Sequence, residues 1–167
     1  MAGKYKKIVI VTGGSSGIGR CTASALRDSG CIVYKFSRRN IPMEGIIHLS
    51  VDVTDENAVN SAVKQIIQKE TKIDAVINCT GFTQMRQKSI LGDDEYGGRI
   101  SRSVSQMEHD EQNGMNPEVI GKYIANIVKK KKPAIVYVAS AKYKFLSLLC
   151  KILPAAVREK IVGKVYG

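Results

Sequence analysis

The feature that most constrains this chain is a glycine-rich segment, residues 13–19, placed directly after a short apolar run. That run, residues 7–12, is β-branched and uninterrupted, which predicts a strand buried on both faces of a sheet. Apolar residues at helical spacing follow the glycines up to Asp28, and Gly30 stands where a helix C-terminus favours glycine. A strand, a glycine loop and a helix in this order bring backbone amides and a helix N-terminus close to an anion, such as a pyrophosphate.

The alternation of strands and helices continues as far as residue 81. Apolar runs predict further strands over residues 31–36, 45–51 and 73–78, and a helix capped by Thr54 lies between the last two. Strands that are nearly all apolar, separated by helices, indicate a parallel sheet covered on both faces. The predicted fold class is therefore α/β, a doubly wound parallel sheet of the Rossmann-like kind, with residues 1–81 as its cofactor-binding half.

The pattern changes after residue 81. Residues 82–116 are polar and acidic and predict a loop with a short helix over residues 101–110, whereas Asn116-Pro117-Glu118 is typical of a helix start. Residues 134–138 predict a fifth strand, which we expect to pair beside residues 73–78 in a shortened sheet of about five strands. Residues 117–167 would then form a helix, this strand and a basic amphipathic tail with helical segments over residues 145–153 and 157–165. The 167 residues would make a single domain.

The formal net charge of +11 is unevenly distributed. It amounts to +6 over residues 1–92, −4 over residues 93–128 and +9 over residues 129–167. Part of the last excess, Lys129 to Lys132, has a structural explanation, because cations stabilise the negative end of a helix. The remainder permits contact with an anionic membrane surface. No motif typical of nucleic-acid binding accompanies it, so nucleic acid is not an expected partner.

The cysteines and histidines do not indicate a metal site. The four cysteines have no C-x-x-C spacing, and His48 and His109 stand apart from one another. Reduced thiols and a cytoplasmic location are the expectation, with membrane association through the basic C-terminus as the alternative. No apolar stretch approaches the ~20 residues that a membrane-spanning helix needs.

Three short motifs resemble those of one known family. The segment from Thr12 to Gly19 (T-G-G-S-S-G-I-G) is similar to the cofactor loop of the short-chain dehydrogenase/reductase family. Asp52-Val53 resembles the pair that holds the adenine in that family. Asn78-Cys79-Thr80-Gly81 resembles its N-N-A-G stretch, with cysteine and threonine in the middle positions. The resemblance implies hydride transfer between a nicotinamide dinucleotide and a small carbonyl or alcohol. It also implies that residues 82–116 correspond to the family's substrate loop.

The end of the second predicted strand indicates which dinucleotide is bound. An acid there would accept hydrogen bonds from the ribose hydroxyls of NAD, but the chain has Ser37-Arg38-Arg39 instead. Guanidinium groups offer a fixed fork of donors to phosphate oxygens, so NADP(H) is expected over NAD(H). The predicted cofactor-binding residues are Gly13, Ser15, Ser16, Gly17, Ile18, Gly19, Ser37, Arg38, Arg39, Asp52, Val53, Asn78 and Gly81.

The chain departs from the family at the catalytic residues. The family uses a Tyr-x-x-x-Lys pair, in which the lysine lowers the tyrosine pKa for proton transfer beside the carbonyl. None of the seven tyrosines has a lysine four residues later, so no catalytic residue is predicted. The resemblance passes from the fourth strand directly to the segment after the family's sixth, which indicates that the segment bearing the catalytic residues is missing.

Three functional interpretations follow. The first is a short-chain oxidoreductase that is internally shortened, and the second is a non-catalytic module that binds NADP(H). The third adds a membrane surface or a lipid-like substrate, contacted by the apolar and basic residues 145–153. A second copy of the chain is a further candidate partner.

Overall fold

The computed structural model describes residues 6–80 and 113–141, together with scattered residues at 105, 109 and between 144 and 160. The chain divides into two units, of which the first comprises Met1–Gly81 and Asn116–Ile135 and the second Phe82–Met115 and Val136–Gly167. The organisation of the whole chain as one domain stays a prediction. The first unit holds all strands that the described residues form, and the fold is that of this unit.

The first unit contains four strands and three helices among its described residues. In chain order they are β1 (Ile8–Thr12), α1 (Gly17–Asp28), β2 (Ile32–Ser37), β3 (Ile47–Ser50), α2 (Glu56–Glu70), β4 (Ala75–Asn78) and α3 (Pro117–Lys129). The strands form one parallel sheet in the order β3-β2-β1-β4. Because the order reverses at β1, the sheet is wound in both directions from this strand, and the predicted doubly wound architecture is confirmed.

Helices cover both faces of the sheet. On one face Ile8, Ile10, Tyr34 and Phe36 pack with Ala62 and Ile66 of α2. On the other face Val9, Val11 and Val33 pack with Ala23 and Leu26 of α1 and Ala125 of α3. Successive residues of β1 therefore enter opposite cores, which explains why this strand has no polar face.

Helix α3 is held against α1 by a close backbone contact. A Cβ added to Gly121 would lie 2.7 Å from the carbonyl carbon of Cys21, so only glycine allows this approach. The side chain of Lys7 also donates a hydrogen bond to the carbonyl of Val128 near the end of α3. The predicted start of this helix is confirmed, because Asn116 Oδ1 accepts from the Glu118 amide at 2.8 Å and proline occupies the first turn.

The prediction of a fifth strand is wrong. The described residues form four strands, residues 134–138 contain none, and β4 is an edge of the sheet. Ile135 and Val136 are 102% and 74% exposed. Strand propensity largely reflects packing on a pleated, half-buried surface, so an apolar β-branched run without such a surface does not form a strand.

The predicted cap of α2 is wrong by one residue. Asp55, rather than Thr54, is the N-cap, and its Oδ1 accepts from the amides of Asn57 at 2.9 Å and Ala58 at 3.1 Å. The Thr54 hydroxyl instead donates to Asp52 Oδ1 at 2.8 Å. The preceding loop therefore engages the threonine, and the neighbouring carboxylate satisfies the first-turn amides.

Most of the helices predicted over residues 101–110, 145–153 and 157–165 lie outside the described residues. The residues that are described there, at 105, 109, 145, 147, 148, 157, 159 and 160, are helical, and Leu153 is not. In the part of the chain that the structure describes, no helix combines the length and the apolar character needed to cross a membrane.

Candidate functional site

The carboxyl ends of the four parallel strands meet at one edge of the sheet. Thr12 at the end of β1 lies opposite Phe36 on one side and Asn78 on the other, and Ser37 lies opposite Ser50. The loops that leave these strands carry the predicted cofactor-binding residues, so the fold brings them to a common edge. Gly81 is the one predicted residue that lies outside the described residues.

The loop after β1 depends on glycine where it crosses the sheet edge. Gly13 has a φ of +64°, and its amide donates to the carbonyl of Phe36 at 3.0 Å. A Cβ at this position would lie 2.8 Å from the carbonyl oxygen of Cys79. A Cβ at Gly19 would lie 2.4 Å from the Gly13 carbonyl oxygen. The loop, the first turn of α1 and the end of β4 therefore approach one another at distances that side chains would prevent.

The first turn of α1 is open toward solvent. Gly17 has a φ of +52°, and a Cβ there would meet nothing within 4 Å. Ser16 is the N-cap, its side chain makes no capping hydrogen bond, and the first turn contains no acidic residue. Ser16, Gly17 and Ile18 are exposed and Ser15 is half-buried. This arrangement suits an anionic group, because uncapped amides and the positive end of the helix dipole face the same space.

A hydrogen-bonded junction joins β1 to β4 beneath the loop. The Thr12 hydroxyl donates to Asn78 Oδ1 at 3.2 Å and accepts from the Cys79 amide at 3.3 Å. The Asn78 side chain is thus fixed from within the protein. Burial raises the pKa of the Cys79 thiol, so this cysteine stays protonated at neutral pH. Sequence reasoning did not place Thr12 in the site, although its position as the last residue of β1 is a signal that it lies at the edge.

The loop after β2 carries two exposed cations on a constrained backbone. Arg38 and Arg39 are exposed. The carbonyl of Arg39 accepts from the Ser37 hydroxyl at 2.9 Å and from the Ile41 amide at 3.2 Å. Ser37 itself is 8% exposed. Its hydroxyl proton is therefore directed into the loop, and the two guanidinium groups are the exposed donors at the end of β2.

The loop after β3 places a carboxylate near the arginines. Asp52 Oδ1 accepts from the Thr54 amide at 3.0 Å and from its hydroxyl at 2.8 Å. These hydrogen bonds, together with the positive charge of Arg38, hold the pKa of Asp52 below its usual value, so the carboxylate is ionised at neutral pH. The neighbouring Val53 is 38% exposed and offers an apolar contact at the same edge.

A buried lysine lies close to two of these loops. Lys35, in the middle of β2, is 1% exposed, and its ammonium donates to the carbonyl of Ile41. Burial, and next the charge of Arg20, lowers the pKa of Lys35. Burial and the charge of Lys35 also lower the pKa of His48, its partner in β3. Sequence reasoning missed Lys35, whose signal is a single charged residue within an otherwise apolar strand.

No metal chemistry is indicated by the described part of the chain. Among residues 6–80, 113–141 and the scattered described positions, no three His, Cys, Asp or Glu side chains form a group that could hold a metal ion. The backbone amides at the start of α1 and the exposed guanidinium groups after β2 support the binding of an anionic ligand at this edge.

Several known proteins resemble part of this chain. The 3-ketodihydrosphingosine reductase of Bacteroides thetaiotaomicron is 42% identical over 77 residues, covering 46% of this chain and 29% of that protein. The (+)-borneol dehydrogenase 1 of Salvia officinalis is 29% identical over 144 residues, covering 81% of this chain and 52% of that protein. The ligand-free aldohexose dehydrogenase of Thermoplasma acidophilum is 32% identical, covers 46% of this chain and 30% of that structure, and superimposes with a TM-score of 0.45.

The chain thus spans about a third to a half of the length of the relatives that it matches. The family model described as short chain dehydrogenase matches residues 7–105, which is more than half of the chain and contains the whole parallel sheet. The glycine loop, the strand order and this match agree with one another, and the chain belongs to the short-chain dehydrogenase family.

Proposed function

We propose that this chain binds NADP(H) at the carboxyl edge of its sheet and is the cofactor-binding part of a short-chain oxidoreductase. Family membership supports a nicotinamide dinucleotide as the ligand. The observation that carries the choice of NADP(H) is the pair of exposed arginines at the end of β2, where NAD-binding members of this fold class use an acid.

The pyrophosphate is assigned to the first turn of α1. Gly13 and Gly19 allow the loop backbone to lie close to β4, and Gly17 leaves open space in front of the helix. Ser15, Ser16 and Ile18 border the same turn, so their amides are available to phosphate oxygens. Because this turn has no acidic side chain, nothing there repels the ligand's negative charge.

The 2′-phosphate is assigned to Arg38 and Arg39. Their guanidinium groups are exposed, and phosphate is a ligand that such groups bind in a bidentate manner. Ser37 was predicted as a direct contact as well. Its proton is donated to the Arg39 carbonyl, which supports a role in shaping the loop in addition to any contact through its lone pairs.

The adenine and the nicotinamide end follow from the family resemblance. Val53 is exposed beside the ionised Asp52, which supports an apolar contact and a hydrogen-bond acceptor for the adenine. Asn78 ends β4, on the opposite side of the switch point from Arg38, and Gly81 is assigned to the same part of the ligand by the family resemblance alone. A dinucleotide bound across β1 would extend from β2 to β4, as the fold class requires.

Binding is tested by titrating the full chain with NADPH and following the fluorescence of the reduced nicotinamide. The Arg38→Ala variant should bind NADPH about tenfold or more weakly, because a hydrogen bond to a charged group contributes about 1.5–3 kcal/mol. Lys64→Ala, which removes an exposed lysine from the middle of α2, is the matched control and should bind like the wild type. Equal affinity for NADPH and NADH in the wild type would contradict the assignment of the 2′-phosphate.

Two further functional interpretations are retained as proposals. A non-catalytic NADP(H)-binding module is supported by the absence of any Tyr-x-x-x-Lys pair from the sequence. Contact with a lipid-like substrate or an anionic membrane is supported by Phe145 and Leu148, which are 68% and 58% exposed beside Lys144. Cosedimentation with anionic liposomes, compared with a chain truncated after Ser140, tests this contact.

A further inference from the structure

The side chain of Lys35 is the largest that the described residues bury completely. It is 1% exposed, although it lies in a strand whose neighbours Tyr34 and Phe36 are apolar core residues. A lysine with its charge taken out of water is unfavourable unless something compensates for the lost hydration. The ammonium of Lys35 donates a hydrogen bond to the carbonyl of Ile41, and the buried position of this residue invites a functional explanation.

The stem of Lys35 contacts the glycine loop. A Cβ added to Gly14 would lie 2.6 Å from Lys35 Cγ and 3.3 Å from its Cδ. The methylene groups therefore occupy the space that a side chain at residue 14 would fill. One side chain thus packs beneath the proposed pyrophosphate loop and reaches the loop after β2.

The ammonium of Lys35 completes the hydrogen bonding of the arginine loop. Within residues 37–41, the Arg39 carbonyl accepts from the Ser37 hydroxyl and from the Ile41 amide. The Ile41 carbonyl accepts from Lys35, which connects the far end of the loop to the sheet. These three hydrogen bonds lie on both sides of Arg38 and Arg39 and restrict the backbone that carries both guanidinium groups.

We propose that Lys35 is a positioning residue for the selection of NADP(H) over NAD(H), acting through the loop that carries Arg38 and Arg39. The inference rests on the proposed function, because it concerns the specificity of that same site. A direct contact with the ligand is excluded by burial, since a side chain with 1% exposure has no surface to offer to a phosphate. Without the ammonium, the Ile41 carbonyl loses this hydrogen bond, and the backbone that carries Arg38 and Arg39 becomes less restricted. Affinity for NADPH should then fall, whereas affinity for NADH, which has no 2′-phosphate, should not.

The test compares the affinities of the full chain for NADPH and for NADH in the wild type and in Lys35→Met. Methionine keeps most of the buried apolar volume and removes the donor. We expect the ratio of NADPH affinity to NADH affinity to fall at least about fivefold, which is the low end of typical coupling between sites. Lys7→Met is the matched control, because Lys7 also donates to a carbonyl, that of Val128, but from the start of the sheet. Its affinity ratio should equal that of the wild type.

A second comparison separates positioning from general destabilisation. In a chain that already carries Arg38→Ala and Arg39→Ala, adding Lys35→Met should leave the affinity ratio unchanged, because the groups through which Lys35 acts are gone. If Lys35→Met does not fold, Lys35→Gln replaces it, since glutamine is too short to reach Ile41 and the same change in ratio is expected.

The outcomes distinguish the two proposals. A wild type that binds neither dinucleotide overturns the proposed function, and the role of Lys35 with it. A wild type that prefers NADPH and loses the preference with the arginine substitutions but keeps it with Lys35→Met overturns the role of Lys35 alone. A change in ratio that persists in the variant lacking both arginines also overturns the proposed route through the arginine loop.

Discussion

At the scale of single residues, the site is defined more by what glycine permits than by what side chains do. Gly13 lies in the loop after β1, and Gly17 and Gly19 lie in the first turn of α1, but their surroundings differ. Gly13 and Gly19 would clash with backbone atoms if they carried a side chain, whereas Gly17 faces open space. The first two are therefore required for folding of the loop, and Gly17 is required for room in front of the helix.

This difference predicts unequal losses of stability for two alanine substitutions. Gly13→Ala should lower the free energy of unfolding by about 2–4 kcal/mol, because left-handed strain adds to a contact with Cys79 that cannot relax easily. Gly17→Ala should lower the free energy of unfolding by only about 1 kcal/mol, because the left-handed backbone is strained but the new methyl group contacts no other atom. Urea unfolding of both variants measures the two values.

Gly17→Ala, the less destabilising of the two substitutions, should nevertheless weaken NADPH binding. Gly17→Ala places a methyl group in the open space where the pyrophosphate is assigned, so its affinity for NADPH should fall while most of its stability remains. A Gly17→Ala variant that binds NADPH like the wild type would contradict the assignment of the pyrophosphate to this turn. Equal stability of the two variants would contradict the structural distinction between the two glycines.

At the scale of elements, the helix ends show where sequence patterns are reliable and where they fail by one position. Asn116-Pro117-Glu118 predicts the start of α3 correctly, because a proline fixes the first helical residue. The start of α2 contains Thr54 and Asp55 in succession, and either residue type is a good N-cap. The loop before the helix decides between them, since Asp52 engages the threonine, and that contact is not visible in a propensity scale.

With Asp55 rather than Thr54 as the N-cap of α2, the two residues should differ in their contribution to stability. Asp55→Ala should destabilise the protein by about 1 kcal/mol, because two amides of the first turn lose their acceptor. Thr54→Ala should cost less, since its hydroxyl bond to Asp52 is exposed to solvent. Thermal or urea unfolding measures both changes. A larger loss of unfolding free energy for Thr54→Ala than for Asp55→Ala would indicate that Thr54 is the N-cap.

At the scale of the whole molecule, the four strands were predictable from their apolar runs, and their parallel arrangement from the helices between them. Burial on both faces holds for β1 and β2, whereas Val76 of β4 is 53% exposed. The failed fifth strand is also apolar, but residues 134–138 form no strand in the described part of the chain. A strand forms only where the fold supplies a partner strand. Residue type alone carries no information about such a partner. The glycine loop was predictable from spacing, whereas the role of Lys35 was not, because it depends on contacts with Gly14 and Ile41 that only the folded chain brings about.

The last prediction concerns catalysis by the 167-residue chain. The sequence holds the cofactor loop of its family but no tyrosine followed by lysine at the fourth place, and the described part of the chain offers no metal site as a substitute acid. A positioned general acid contributes about 10²–10⁴-fold to the rate of such a proton transfer. We therefore expect the chain to bind NADPH without oxidising it when small or long-chain ketones are added. The rate at which NADPH absorbance decreases should match that of the solution without protein.

A rate above this background, lowered in the Arg38→Ala variant, would identify a catalytic group outside the family's usual pair. Binding of NADPH without turnover would instead identify this chain as a cofactor-binding module. The intact mass, compared with the encoding gene, would then show whether the family's catalytic segment is absent from the protein itself.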